Sequence, residues 1–319
     1  MVNEFYFSII VPLYNKVDYL HRALESIQQQ TWDNYEVLIV DDGSTDGSSA
    51  KAVEYLLPNW RLVFQKNKGV SSARNQGTKV ANGSYLCFLD ADDCWHPRYL
   101  EYMHLIIESY PRAGLYGTNY QQIKGEDFPV YKNYSGKVNS RKINLYRAWM
   151  IRNPLNTDGM VVAKDVFLDV GGFDITQRYY EDATLMFKIA SSKSIVVTSM
   201  VLTYYFLDVK NNANSRMRKS LPLYPGYLPT LLNLSQSNCH NVWLRIFTKS
   251  ELFLAMASQI YYCKPEKNLI ISDALKLSSR SFLYRILVTH RNSILTKFMC
   301  IVSLKLRSLI IRLMCSIYD

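Results

Sequence analysis

Along the first 120 residues, short apolar runs alternate with stretches whose apolar positions recur every three or four residues. Tyr6 to Pro12 (YFSIIVP) is nearly continuous in apolar, β-prone residues, the pattern of a strand buried on both faces. After it, Val17, Leu20, Leu24 and Ile27 fall at helical spacing and end in the polar run Gln28 to Thr31. The alternation continues with strands over Tyr35–Val40, Arg61–Gln65, Tyr85–Leu89 and Gly114–Tyr120. Helices are predicted over Asp46–Leu57, Val70–Ala81 and His96–Ser109. Repeated strand–helix–strand units imply an α/β fold, a mostly parallel sheet with helices on both faces.

Beyond Tyr120 the pattern weakens, and Gly125, Pro129 and Gly136 mark loops up to about Arg152. Met160–Ala163 reads as a short strand, followed by a helical turn that stops at Gly171-Gly172. Glu181–Ser191 is helical, and Ile195–Phe206 has room for two short strands. After about Leu221 the chain is helix-rich and poor in glycine, so the expected division is 1–215 and 216–319.

In sheets of this kind ligands bind beyond the carboxyl ends of the strands. Three of those ends carry turn-forming, polar or acidic residues: Pro12-Leu13-Tyr14-Asn15, Asp41-Asp42-Gly43-Ser44 and Asp90-Ala91-Asp92-Asp93. All three should converge on one rim. Asp41 and Asp42 either form a turn that caps the next helix or place Asp41 to accept a hydrogen bond from a nucleobase N–H. Asp90 and Asp92, alternate residues after an apolar strand, share a face; two such carboxylates suit Mg²⁺ or Mn²⁺, hard ions that bridge to phosphate oxygens. The bland reading is a solvated acidic turn. Asn67 to Asn75 opens a helix with glycine and small residues, where backbone N–H groups favour anions and Lys68 and Arg74 add charge. Glu181 and Asp182 either cap a helix or supply a base to an attacking hydroxyl.

In order, SIIVPLYNK, VLIVDDGSTDGS, NKGVSSARNQGTKVANGSYLCFLDADD, VGGFD and YED resemble the inverting glycosyltransferases of family 2, which have the GT-A fold. The match spans roughly Phe7 to Ser215. It implies that Pro12 and Tyr14 line the base pocket, Tyr14 stacking on uracil or thymine, and that Asp41 binds the base imide. It further implies that Arg74 orders the donor, Asp90 sits near the ribose and Asp92 ligates the metal on the diphosphate. Asp182 is then the general base, with Glu181 beside it as a supporting contact. Many relatives carry a histidine after a Tyr-rich strand. Here the stretch reads Tyr204-Tyr205-Phe206-Leu207-Asp208, leaving Asp208 as a substitute metal ligand or the contact missing. The implied donor is a nucleotide-diphosphate sugar, UDP-linked by resemblance. The implied acceptor is a hydroxyl of a glycan or lipid-linked oligosaccharide in surface polysaccharide synthesis.

Charge changes the picture for the last third. Of a net +10, residues 216–319 hold 15 Lys/Arg against 4 Asp/Glu, so the front is close to neutral. Ile294–Ile317 is apolar but broken by Lys297, Lys305, Arg307 and Arg312, too often for a span. As a helix it sets Met299, Val302, Leu306, Ile310, Leu313 and Ile317 opposite Lys297, Lys305 and Arg312, which is the form of a helix lying on an anionic membrane. Packing on the catalytic domain or on a second copy is the alternative. Trp243, Tyr261 and Tyr262 fit either interfacial anchoring or a core. Met1 to Glu4 carry no basic n-region, so no leader is expected, and scattered cysteines fit a reducing interior. The expected location is cytoplasmic, peripheral on the inner face of the cell membrane.

Other classes fit less well. No GxGxxG follows the first strand and no GxxxxGK[ST] is present, against a dinucleotide oxidoreductase or a P-loop enzyme. A nucleic-acid partner is not expected, because it leaves the acidic strand ends unexplained. A processive synthase lacks its QxxRW segment here. A non-catalytic nucleotide-sugar-binding or regulatory subunit on the same fold is the remaining alternative.

Overall fold

The computed structural model describes residues 6–125, 129–134, 138–151, 153–207, 226–238, 240–248 and 251. It comprises two compact units, Met1–Leu145 with Asn153–Arg216, and Tyr146–Arg152 with Met217–Asp319. Asp208 and the stretch Ile294–Ile317 lie outside the described residues, as do Tyr261 and Tyr262.

The first unit is built on one sheet. Strands β1 (Phe7–Leu13), β2 (Tyr35–Asp41), β3 (Trp60–Phe64) and β4 (Tyr85–Phe88) are parallel, in the spatial order β3-β2-β1-β4. The crossovers between them are supplied by α1 (Leu20–Gln28), α2 (Ser48–Val53) and α3 (Val70–Val80). β2 is buried at every position and β1 at all but Pro12, which is why these runs carry no alternation. Ile9 and Val11 join Leu24 and Ile27 of α1 and Met103 and Ile106 of α4 (Tyr99–Ser109) in one core. On the opposite face α3 lies so close that a Cβ at Gly77 would stand 2.6 Å from Ile10 Cγ2.

The other half of the sheet is mixed. The two-residue strand β5 (Cys94–Trp95) follows the acidic tip, and β6 (Leu115–Ile123) and β7 (Ser140–Ile143) come next along the chain. β8 (Met160–Ala163) runs antiparallel between β4 and β6. Ile195–Phe206 forms one 12-residue strand, β9, rather than two. It stays paired with β6 across a register shift at Asn119, and it carries β5 and β7 antiparallel. β5 brings the segment after the acidic tip back against β9. Helices α6 (Lys164–Asp169) and α7 (Glu181–Ala190) complete this unit, and Phe167 and Phe173 pack on Phe88.

The second unit takes most of α5 (Leu145–Ile151) together with α8 (Leu228–Ser237) and a helical stretch over 242–248. Its packing is aromatic: Tyr227 meets Trp149 and Phe247, Tyr146 meets Phe247, and the Tyr227 hydroxyl donates to Glu251 at 2.9 Å. Trp243 carries the Arg147 guanidinium over its ring. No helix among the described residues is long and apolar enough to cross a membrane.

Candidate active site

The strand ends do converge, and hydrogen bonds between the loops fix how. After β1 the chain turns at Asn15, whose φ of 52° is a left-handed conformation that asparagine tolerates better than most residues. Asn15 donates its N–H to Ser44 Oγ, and its Oδ1 accepts from the Thr45 N–H at 2.8 Å. Lys16 donates its N–H to Ser48 Oγ at 2.8 Å, while its carbonyl accepts from Tyr19 and Leu20 and starts α1.

The two aspartates at the β2 tip divide their work. Asp41 is buried and accepts from the Ser44 N–H and from the Ser49 hydroxyl, so its carboxylate shapes its own loop. It is not among the residues that line the cleft. Asp42 does line it, and accepts from Gln65 Nε2 and from the N–H groups of Lys68 and Gly69 at 2.7–2.8 Å. Two of the amides expected to face an anion at the entrance to α3 are therefore already held by a carboxylate.

At the β4 tip each outward carboxylate meets a cation. Asp90 accepts from Arg74 Nη2 at 2.6 Å, and Asp92 accepts from Lys16 Nζ at 2.5 Å. Arg74 also donates to Glu181 Oε1 at 3.1 Å and stands over the Phe173 ring. With a side chain 3 % exposed, it links α3, the acidic tip and α7. Burial opposes its charge, but Asp90 and Glu181 outweigh that and raise its pKa. Burial lifts the Asp92 pKa against the pull of Lys16.

Behind the tip, Asp158 accepts the Asp90 N–H at 2.7 Å, and Asp93 accepts the Phe206 N–H at 2.9 Å. Burial and the neighbouring acids raise both pKa values, Asp158 to about 7. Carboxylate oxygens of Asp90, Asp93 and Asp158 lie within 4.8 Å of one another, and Asp93 Oδ2 is buried with no hydrogen-bond partner among the described residues. Hard oxygen donors and an orphaned buried oxygen suit a divalent cation such as Mg²⁺ or Mn²⁺. The oxygens that gather closely are thus those of Asp90, Asp93 and Asp158, whereas Asp92 already holds an ammonium.

α7 is entered through Tyr180 at φ 66°, a left-handed tyrosine of the kind found at functional sites. Burial and mutual repulsion raise the Glu181 pKa against Arg74. Burial raises that of Asp182, opposed by the Ala183 N–H it accepts at 2.7 Å.

Together these elements enclose a cleft of about 540 Å³, within the range of small-molecule sites. Pro12, Tyr14, Arg74, Asp90, Asp92 and Glu181 line it, while Asp41 and Asp182 do not. Tyr14 keeps 42 % of its surface exposed. Lys16, Tyr205 and residues 175–179 also line it and were missed in the sequence, while Asp42, read there as part of the β2 tip, lines it in place of Asp41. Lys16 directly follows the PLYN turn, a usable signal. Asp158 has none, being 68 residues from Asp90 in sequence.

A family model described as glycosyl transferase family 2 matches residues 8–168. An uncharacterized glycosyltransferase of Haemophilus influenzae is 29 % identical over 211 residues, covering 65 % of this chain and 70 % of that protein. Across other such relatives the chain spans from 20 % to 72 % of their length. Among solved structures, S. aureus TarS 1–349 in complex with UDP-GlcNAc has a TM-score of 0.65 at 20 % identity, covering 85 % of this chain and 79 % of that one. The mannosyltransferase PcManGT of Pyrobaculum calidifontis, in complex with GDP-Man and Mn²⁺, has a TM-score of 0.55 at 17 % identity, covering 93 % and 86 %. At such identities the likeness is one of fold, the GT-A fold.

Proposed function

The chain belongs to glycosyl transferase family 2, and from that premise we propose that its cleft binds a nucleoside-diphosphate sugar and passes the sugar, with inversion, to an acceptor hydroxyl. The observation that carries the reading is the pairing at the β4 tip: Asp90 with Arg74 and Asp92 with Lys16, at the carboxyl ends of parallel strands in one cleft. Its lining holds four acids, Asp42, Asp90, Asp92 and Glu181, and four bases, Lys16, Lys68, Arg74 and Arg178. A near-neutral wall suits a dianionic diphosphate that arrives together with a divalent cation.

Tyr14, open at the rim, offers a ring for the base to stack on, with uracil the preferred base and Pro12 part of the same lining. Arg74 holds Asp90 and Glu181 in fixed relation, so that the ribose and diphosphate meet a preorganised surface. Mg²⁺ or Mn²⁺, held through Asp92 with the neighbouring acidic oxygens, would offset charge on the departing diphosphate. The acceptor oxygen bonds to the anomeric carbon while the nucleoside diphosphate leaves with the electron pair of the broken bond. Asp182, its basicity raised by burial, is assigned the hydroxyl proton through the family resemblance. It does not itself line the cleft, so Glu181 beside it, which does, is the alternative base. Glu181, tied to Arg74, fixes the start of α7.

The acceptor we assign is a glycan or lipid-linked oligosaccharide in surface polysaccharide synthesis, reached from the inner face of the cell membrane. The basic C-terminal third supports that placement. The test is release of nucleoside diphosphate from a panel of UDP-, dTDP- and GDP-sugars with Mn²⁺. Release from one donor, lost in Asp92→Ala, is expected. Tight nucleotide binding without release, with every acceptor glycan offered, would favour the non-catalytic subunit instead.

A further inference from the structure

Lys16 is an unusual wall residue. Its N–H is tied to Ser48 Oγ, and its carbonyl is tied to the first turn of α1, so its Cα has little freedom. Its side chain is only 16 % exposed and ends 2.5 Å from Asp92 Oδ2, itself 15 % exposed. The tie to Asp92 spans 76 residues of sequence and joins the β1 and β4 tips directly. The ammonium also stands over the Tyr19 ring, 5.9 Å from its centroid. Of the cations lining the cleft, Arg74 is anchored by two carboxylates, while among the described residues Lys16 has this one ion pair. A flexible ammonium is also the easier of the two to re-aim, being a point charge on a four-carbon stem rather than a planar fork.

We propose that Lys16 is the resident counter-cation of Asp92 and thereby couples metal binding to nucleotide binding. Lys16 neutralises Asp92, so a divalent cation arriving without nucleotide must take the carboxylate away from it. A nucleoside diphosphate changes that balance, because it gives the released ammonium a new anionic partner on the same wall. Metal alone therefore binds weakly, and metal with nucleotide binds well. This inference rests on the donor-site reading above and adds to it a residue and an order of loading. By linkage, whatever Lys16 does to the nucleotide's effect on the metal it does equally to the metal's effect on the nucleotide.

The experiment is a Mn²⁺ titration followed by electron paramagnetic resonance of the free ion, with and without UDP, on wild type, Lys16→Met and Lys16→Arg. In Lys16→Met, Mn²⁺ alone should bind about tenfold more tightly, and UDP should then improve Mn²⁺ binding about tenfold less than in wild type, within the usual span of such couplings. Lys16→Arg keeps the charge and should retain most of the coupling, which separates this role from a merely structural one. Unchanged melting of both variants would show that the cleft is intact. Equal Mn²⁺ affinity in wild type and Lys16→Met, with and without UDP, overturns the inference while leaving the donor site standing. Wild type that binds no nucleoside diphosphate even with Mn²⁺ removes the donor-site reading and this inference with it.

Discussion

Arg74→Met is the perturbation that bears most heavily on the arrangement of the cleft. Methionine fills much of the arginine stem's volume beside Phe173 but removes the charge shared by Asp90 and Glu181. Breaking a buried ion pair by deleting one partner costs about 3–5 kcal/mol, chiefly because a charge is left without compensation. Here the two stranded carboxylates differ: Glu181 is 15 % exposed, while Asp90, at 32 %, is partly relieved by water. The lower end, about 3 kcal/mol, is the better figure, since water reaches Asp90, and Glu181, whose pKa burial already raises, can also take up a proton. For a unit of roughly 200 residues that is a fall in Tm of about 6–12 °C. Arg74→Lys should fall between the two, because an ammonium cannot fork to both partners. The assay is thermal unfolding of wild type, Arg74→Met, Glu181→Gln and the double variant. Contact between the two residues requires a coupling of about 1–2 kcal/mol in the cycle, the double variant being less damaged than the sum of the singles. A Tm within about 2 °C of wild type for Arg74→Met, or a coupling near zero, would refute the bridge.

Other positions give independent checks. Gly77→Ala adds helix propensity worth up to about 1 kcal/mol, but its Cβ would stand 2.6 Å from Ile10 Cγ2 and 3.2 Å from Val40 Cγ2. Overpacking should win, with a net loss of about 1–2 kcal/mol in urea unfolding, and a stabilised variant would contradict the close approach of α3. His96 is buried, bonded through its ring nitrogens to the Arg98 N–H and the Lys132 carbonyl; burial, with the nearby Arg98 charge, lowers its pKa. The unfolded chain then takes up the proton first, so stability is full above about pH 6.5 and falls as pH drops from there toward the folded value. His96→Gln should flatten that decline between about pH 7.5 and 5.5, and an unchanged slope would count against it. In the transferase assay, Asp182→Asn should lower turnover by about 10²–10⁴-fold with little change in donor KM. A larger loss in Glu181→Gln would reverse the two roles.

The parallel half of the sheet was legible because β1 and β2 are buried almost throughout and stand out as largely apolar runs, although the edge strand β3 is only partly buried. The crossover helices followed from their period, and their ends shifted by a few residues where Asp46 and Tyr19 sit in turns rather than in the helix. The mixed half was harder. β5 has two residues, too few for any period, and exists because β9 is there to pair with it. β7, SRKI, has neither alternation nor an apolar face, and is stabilised by its neighbour rather than by its own pattern. At the site, adjacency misled. Asp41 and Asp42 look equivalent in sequence, but successive side chains on a strand point to opposite sides. One therefore folds into its own loop and the other faces the cleft. Lys16 and Asp158 act through contacts 76 and 68 residues distant, which no local spacing encodes.

The central claim is that the acidic β4 tip receives a nucleotide diphosphate together with a divalent ion. Calorimetric titration of UDP into the full chain, with and without Mn²⁺ and repeated on Asp92→Ala, tests it most directly. Binding that requires Mn²⁺ and disappears in the variant is the expected result. Absence of binding by UDP, dTDP and GDP with Mn²⁺ present, or binding that survives Asp92→Ala unchanged, would contradict it.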